Sequence, residues 1–422
     1  VTETDETDKP KERHKRTMRE ITRKLKAISI ATLFALWSVV AAHSYALNEV
    51  VPDVRQPANT SGGSACPVHA HQLTSAGGLS FRWSTVLGSN PTTILTQDQT
   101  PTGSLNEIAQ VIQQSLAVWT NVTGTTLTPA SLTPLTTVSV ANACGTDGIN
   151  SICFDQPDMA FTPGVLAFTR VVTADTIGIQ LGNGPASTEL GQILDADIYF
   201  NPSDSLTSFA TPLALSANPG SYDLESILTH ELGHALGFSH SAVWSAMMFP
   251  FAPAPGTFSG QRPTTQQPDA PLADDDRTGL RVLYHDPNDT LYVGSIQGHI
   301  LPANPISLPS APPGVTGVFG AHVVALNATS GAVIAGTMGG WSCTAPGPVQ
   351  FDGNYEIDQL AIGQSYMIYV EPLDGAVAPA DVSDALVSLC RNSSTDPGWP
   401  PLQGCVVPPA DTSFTTAVRP SP

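Results

Sequence analysis

Apolar positions recur along this chain with two different periods. In SLNEIAQVIQQSLAVWTNVTG, Leu105, Ile108, Ile112, Leu116 and Trp119 are spaced by three and four residues. That spacing predicts an amphipathic helix, with Ser104 placed to cap its start and Gly124 to stop it. SYDLESILTHELGHALGF repeats the pattern through Leu224, Ile227, Leu228, Leu232, Ala235 and Leu236, with Ser221 or Asp223 as cap and Gly237 as stop. LADDDRTGLRVLYH predicts a third, shorter helix, whose acids fall in the first turn, where the helix dipole favours them. Between these helices, LSFRWSTV alternates with period two, and TTVSVA, GVLAFTRVV, DTIGIQL and ILDADIYFN are short β-branched runs separated by Gly, Asn and Pro. A mixed sheet is the simplest account of them.

From residue 291 the texture changes to strands alone: LYVGSIQGHIL, HVVALNAT, AVIAGTMG, NYEIDQL and SYMIYVEPL. The expected organisation is a leader region at 1–46, a Ser, Gly, Pro and His rich, extended or loosely structured lead-in or short pro-segment at 47–77, and an α+β unit with a mixed twisted sheet and three main helices at 78–289. An all-β sandwich at 290–391 and a Pro, Ser and Thr rich tail at 392–422 complete it.

Charge changes the picture at the front end. Nine of the 17 Lys and Arg lie in the first 26 residues. Beyond residue 46 there are eight basic against 30 acidic residues, a formal charge of −22. Such a surface argues against nucleic acid or an anionic lipid face as partner. From Met18, a basic start (Arg19, Arg23, Lys24, Lys26), an apolar run from Ala27 and the closing Ser44-Tyr45-Ala46 have the parts of a secretory signal peptide cleaved after Ala46. The apolar run is short for a spanning helix, so no stable membrane insertion is expected after cleavage. All six cysteines lie beyond that point, and Cys144 and Cys153, bracketing CGTDGINSIC, are the expected disulfide. The remaining pairings stay open.

The chemistry concentrates in THELGHALGFSHSAVWSAMMFP. His230 and His234 are four residues apart, about 40° around a helix, so both imidazoles can reach one tetrahedral ion. Glu231 lies between them but points aside, where a base can serve a water without becoming a ligand. Gly237 permits a sharp turn, after which His240 returns as third ligand.

The string H-E-x-x-H-x-x-G-x-x-H followed by Met248 resembles the metzincins, and Ser241 after the third histidine resembles their matrixin branch. AMMFP is similar to the matrixin Met-turn, with Met248 as the turn methionine and Phe249-Pro250 as the wall of the S1′ pocket. LADDDRTGLRVLYH is similar to the matrixin C-terminal helix. GVLAFTRV is similar to the edge strand against which matrixin substrates lie, which implies substrate contacts at Leu166 and Ala167. The resemblance spans residues 78–286. The C-terminal module resembles the transthyretin-like or carboxypeptidase-regulatory-like sandwich, in GAHVVALNATSGAVIAGTMGG and GNYEIDQLAIGQSYMIYVEPLDG.

Departures limit what the resemblance implies. Ile193 and Ile198 stand where animal matrixins carry a structural-zinc histidine and a calcium-binding glutamate, so a second zinc is not expected. Asp195 matches a calcium ligand, and Asp195 with Asp197 forms a candidate Ca2+ site, the competing reading being a strand end whose acids cap a turn. Cys66 lies in SACPVHAHQ rather than in the family's latency segment, so no thiolate latch is expected. His69, His71, His285, His299 and His322 read as structural or surface groups, Asp275 and Asp276 as a helix start and core anchor, Trp119 as core, and Trp244 as a residue bordering the cleft. The resemblance implies a secreted, monomeric zinc endopeptidase acting on polypeptides, with one catalytic Zn2+ on His230, His234 and His240 and with Glu231 as general base. The alternative is a metzincin scaffold that binds a surface through its β-sandwich, against which the intact Glu231 argues.

Overall fold

The computed structural model describes residues 39–41, 47–50, 66–72, 81–84, 103, 105–127, 136–138, 144–154, 161–182, 184–201, 208–302, 316–344, 349–373 and 417–420. The leader and the tail therefore fall outside the described residues, apart from Val39–Ala41 and Ala417–Pro420, as do Ser104, Cys390 and Cys405. By its internal contacts the segment Ala41–Pro422 forms one unit. No described helix is long and apolar enough to cross a membrane.

Five strands form a mixed sheet: β1 (Arg82–Ser84), β2 (Thr136–Val138), β3 (Ser151–Cys153), β4 (Ala167–Thr173) and β5 (Ile193–Phe200), in the order β2-β1-β3-β5-β4. The first four strands in that order run parallel, and β4 closes the sheet as its one antiparallel, edge strand, with Phe168 opposite Tyr199 and Thr169 opposite Ile198. The alternation in ILDADIYF sends Ile198 and Phe200 into the core, and Ile193 is buried with them.

Helix α1 (Leu105–Thr120) buries Ile108, Ile112, Leu116 and Trp119, the stripe its spacing predicts. That stripe meets α2 (Leu224–Ala235), where the Trp119 indole donates to the Thr229 carbonyl at 2.9 Å. Asp223 caps α2 by accepting from Ser226 N at 3.0 Å, and Arg262 pairs with Asp223 and Glu225 at the same end. Helix α3 (Asp274–Leu283) follows the long loop after residue 250.

Two segments differ from expectation. DTIGIQL is a turn-rich loop rather than a strand: Gly178 takes φ +91°, and Ser187 ties the loop by accepting from Ile179 N and donating to the Thr176 carbonyl. A positive φ interrupts the extended backbone that the β-branched residues favour. The lead-in, expected as an extended or loosely structured stretch, is built into the unit where it is described. Glu49–Val50 pairs with Val68–His69, Leu47 bridges to Phe238, and Leu47, Cys66 and Ala70 are buried. Gly237 answers to this packing, since a Cβ there would strike the Ala70 carbonyl and its φ is +108°. A side chain at that position is excluded twice over.

Beyond 290, the longer antiparallel strands form two sheets, and the short strands Ser342–Thr344 and Val349–Gln350 pair separately. β6 (Val293–His299) pairs with β9 (Asn354–Ala361), and β7 (Ala321–Asn327), β8 (Val333–Met338), β10 (Tyr366–Pro372) and β11 (Ala417–Pro420) run in the order β8-β7-β10-β11. Their buried residues Val323, Ala335, Ile357 and Ile368 belong to the same continuous core as Leu280 of α3. The Cys144–Cys153 disulfide forms, and Cys66 pairs with Cys343 across 277 residues.

Candidate active site

Helix α2 presents His230 and His234 one turn apart on its groove-facing side, with Nε2 atoms 3.2 Å apart. Gly237 then reverses the chain, and the His240 ring returns to lie 4.8 Å from that of His234 and 5.3 Å from that of His230. One ligand atom of each residue lies within 4.8 Å of the others, and among the described residues this is the one such group of three metal-capable side chains.

The outer nitrogens fix the inner ones. His230 Nδ1 donates to the Met247 carbonyl at 2.7 Å and His234 Nδ1 to the Phe238 carbonyl at 2.9 Å, which leaves both Nε2 lone pairs facing the centre. Burial, and then the neighbouring imidazole of His240, lowers His230 to about 4; burial and both neighbours hold His234 well below its ordinary value. The rings are neutral at physiological pH, the form that binds metal. Two nitrogens each ~2.0–2.1 Å from a tetrahedral ion stand ~3.3 Å apart, close to the spacing found. The donor set thus fits zinc.

Glu231 is buried beside the trio. Its Oε2 accepts from the Thr169 hydroxyl at 2.6 Å, and the same hydroxyl lies 3.0 Å from the Glu231 carbonyl. Burial raises the carboxyl to about 7, with the Thr169 hydrogen bond pulling the other way. That value suits proton acceptance near neutral pH. Thr169 lies on β4 and carries no signal in the sequence; only the β4–β5 register brings it to the carboxylate.

Met248 packs under α2 at Gly233, where a Cβ would strike both its sulfur and the Trp119 ring. The turn holding it is fastened twice. Ser241 N donates to the Met248 carbonyl at 2.8 Å, and Asp276 of α3 accepts from Met247 N at 2.7 Å, Met248 N at 3.2 Å and Ala273 N at 2.8 Å. Asp275 accepts from Ser241 Oγ at 2.7 Å. Both acids are core anchors.

The trio and Glu231 lie on the floor of an open groove of about 1480 Å³. Leu166 and, from β4, Ala167, Phe168, Thr169, Val171 and Thr173 line one side, and Phe249 and Pro250 the other. The Leu166 carbonyl is itself engaged by Asn201 N at 2.8 Å. Trp244, 78% exposed, borders the groove 4.8 Å from the Phe249 ring. Asp195 and Asp197 lie apart from this centre, on β5. Asp195 accepts from Gly148 N and Ile149 N, while Asp197 accepts from Gly145 N and Arg170, so together they anchor the loop that Cys144–Cys153 closes. The Cys66 sulfur is engaged with Cys343 rather than directed at the trio.

Residues 88–285 match the family model for matrixin. Metalloendoproteinase 1 of Glycine max is 36% identical over 110 residues, which cover 26% of this chain and 30% of that protein. Metalloendoproteinase 1-MMP of Arabidopsis thaliana is 42% identical over 74 residues, covering 18% of this chain and 17% of its own length. Interstitial collagenase of Bos taurus is 26% identical over 188 residues, covering 44% of this chain and 30% of that protein. The chain spans 30% or less of each of these relatives. The matrixin match and the relatives' names support a metalloendopeptidase.

Proposed function

We propose that this chain is an exported, zinc-dependent endopeptidase of matrixin type that cuts extended segments of polypeptides. One observation carries the reading: three imidazoles converge beside a buried carboxylate, on the floor of a groove that runs along an edge strand. A zinc ion held by His230, His234 and His240 would supply a Lewis acid that acidifies water and polarises a carbonyl.

The chain's own residues supply the rest. Strand β4 offers its outer backbone row to an extended substrate, which adds to the sheet edge and is thereby aligned. Phe249 and Pro250 bound the pocket for the side chain that follows the cut. Glu231 accepts the proton of the attacking water, whose oxygen bonds to the scissile carbonyl carbon; as the C–N bond breaks, Glu231 returns that proton to the departing amine. The Thr169 hydroxyl holds the carboxylate in place between these transfers. Export is supported by the basic and apolar leader and by two disulfides.

Replacing Glu231 by Gln tests the assignment. The variant should keep one zinc per chain yet lose at least about 100-fold in hydrolysis of unfolded casein. Cleavage by the variant at the wild-type rate, or a wild-type chain that takes up no zinc, refutes it.

A further inference from the structure

The wall of the groove facing β4 is not built by the metal-binding half alone. Phe249 lines the groove with one face. Behind it, Phe249 forms a cluster with Leu373, against which Ala242 and Met338 pack. Leu373 follows β10 and Met338 ends β8, so both come from the module beyond residue 290. Phe249 and Leu373 are 8% and 3% exposed, so both are buried in this cluster.

A polar tie runs parallel to this apolar one. Asp275 accepts from Ser241 Oγ with one oxygen and from Gly336 N of β8 at 2.6 Å with the other. Ser241 directly follows His240, and its hydroxyl also accepts from Val243 N at 3.1 Å. At Gly336 a Cβ would stand 2.8 Å from the Val243 side chain and 2.6 Å from His322, so glycine is what lets β8 come this close. The segment from Ser241 to Phe249 thus faces the groove on one side and is fastened to the module on the other.

An aromatic side chain holds one rotamer only while its surroundings are filled. Trp244 covers the solvent side of Phe249, and Leu373 with Met338 fills the inner side. We infer that the C-terminal module is a specificity-determining part of the cleft, in which Leu373 and Met338, as positioning residues behind Phe249, set the depth of the pocket for the side chain that follows the cut. The inference rests on the endopeptidase reading. It gives the module a task at the active site of its own chain.

The test uses the full chain and a peptide series that varies only the residue after the cut. Leu373→Ala lets the Phe249 ring fall back, so the preference for Trp over Ala at that position, as a ratio of kcat/KM, should rise by about tenfold. The kcat for the Ala peptide should change less than about threefold, with one zinc still bound, and Leu373→Met should restore the ratio. Should Leu373→Ala not fold, Leu373→Val is read the same way, with a smaller rise. Ile362→Ala, on the module's exposed surface, should leave the ratio alone. Independently of turnover, hydrogen exchange across residues 241–251 should quicken in Leu373→Ala and recover in Leu373→Met, with zinc or with chelator. Unchanged preference and exchange in a variant that still cleaves overturn this inference alone. A wild-type chain that cleaves none of the peptides overturns the endopeptidase reading beneath it.

Discussion

Removing the Asp276 carboxylate should damage both the fold and the metal site, by amounts that can be worked from its contacts. The side chain is 1% exposed and accepts three backbone N–H groups, from Met247, Met248 and Ala273. Burial pushes its pKa up to about 6, with those donors and Arg277 pulling the other way, so at pH 8 it is ionised. Asp276→Ala leaves the Met247 and Met248 N–H groups buried without acceptors, at ~1–3 kcal/mol each. The Ala273 N–H, at a helix start, can turn to water. Relief from burying a charge offsets part of the loss, so a net destabilisation of about 2–5 kcal/mol is expected. The second effect passes through the Met247 carbonyl, which orients His230. Loosening that turn should weaken zinc by about 10–100-fold. Urea unfolding at pH 8 in chelator gives the first quantity, and competition against a zinc-binding dye gives the second. A stability change below ~1 kcal/mol together with unaltered zinc affinity would refute the reasoning.

Asp275 supplies a pH test. Burial, and then Asp276 beside it, raises its pKa to about 7, far above the value of about 3.9 in an unfolded chain. Between those values the folded chain holds the proton and the unfolded chain does not, so this contribution to stability is full at low pH and is lost as pH rises through 7. Asp275→Asn removes the dependence. Relative to wild type in chelator, the variant should gain at least ~1.4 kcal/mol between pH 5 and pH 8, one pKa unit's worth; a constant difference across that range counts against the account. Replacing Cys66 and Cys343 together by Ala should lower the unfolding free energy by about 2–5 kcal/mol, given the 277-residue separation. An unmoved urea midpoint would show that the bridge constrains nothing.

What could be read in the sequence was local. The spacing of His230, Glu231, His234, Gly237 and His240 encodes its own geometry, because a helix turn and one glycine determine where the imidazoles go. The stripe ending at Trp119 is legible for the same reason. Thr169 was not, since nothing in GVLAFTRV says which residue of β4 will face Glu231 until β4 has paired with β5. DTIGIQL misled because its β-branched residues outweigh a single glycine in any local reading, although Gly178 decides the conformation. The backbone donors from 145–149 that Asp195 and Asp197 accept leave no trace in residue identity either. Cys66 could have paired with any partner, and its bond to Cys343 depends on how two halves of the chain pack.

That long-range bond also sets a clock. The chain emerges from its N-terminus, and all three histidines and Glu231 precede Cys343 by more than a hundred residues. The hydrolytic centre can thus be assembled while Cys66 still waits for its partner, and the backing of Phe249 by Leu373 arrives later still. The residues that line the groove floor are therefore made before those that back Phe249. Closing the Cys66–Cys343 bond then ties the last-made half to the first-made half, so that link waits on the completed chain.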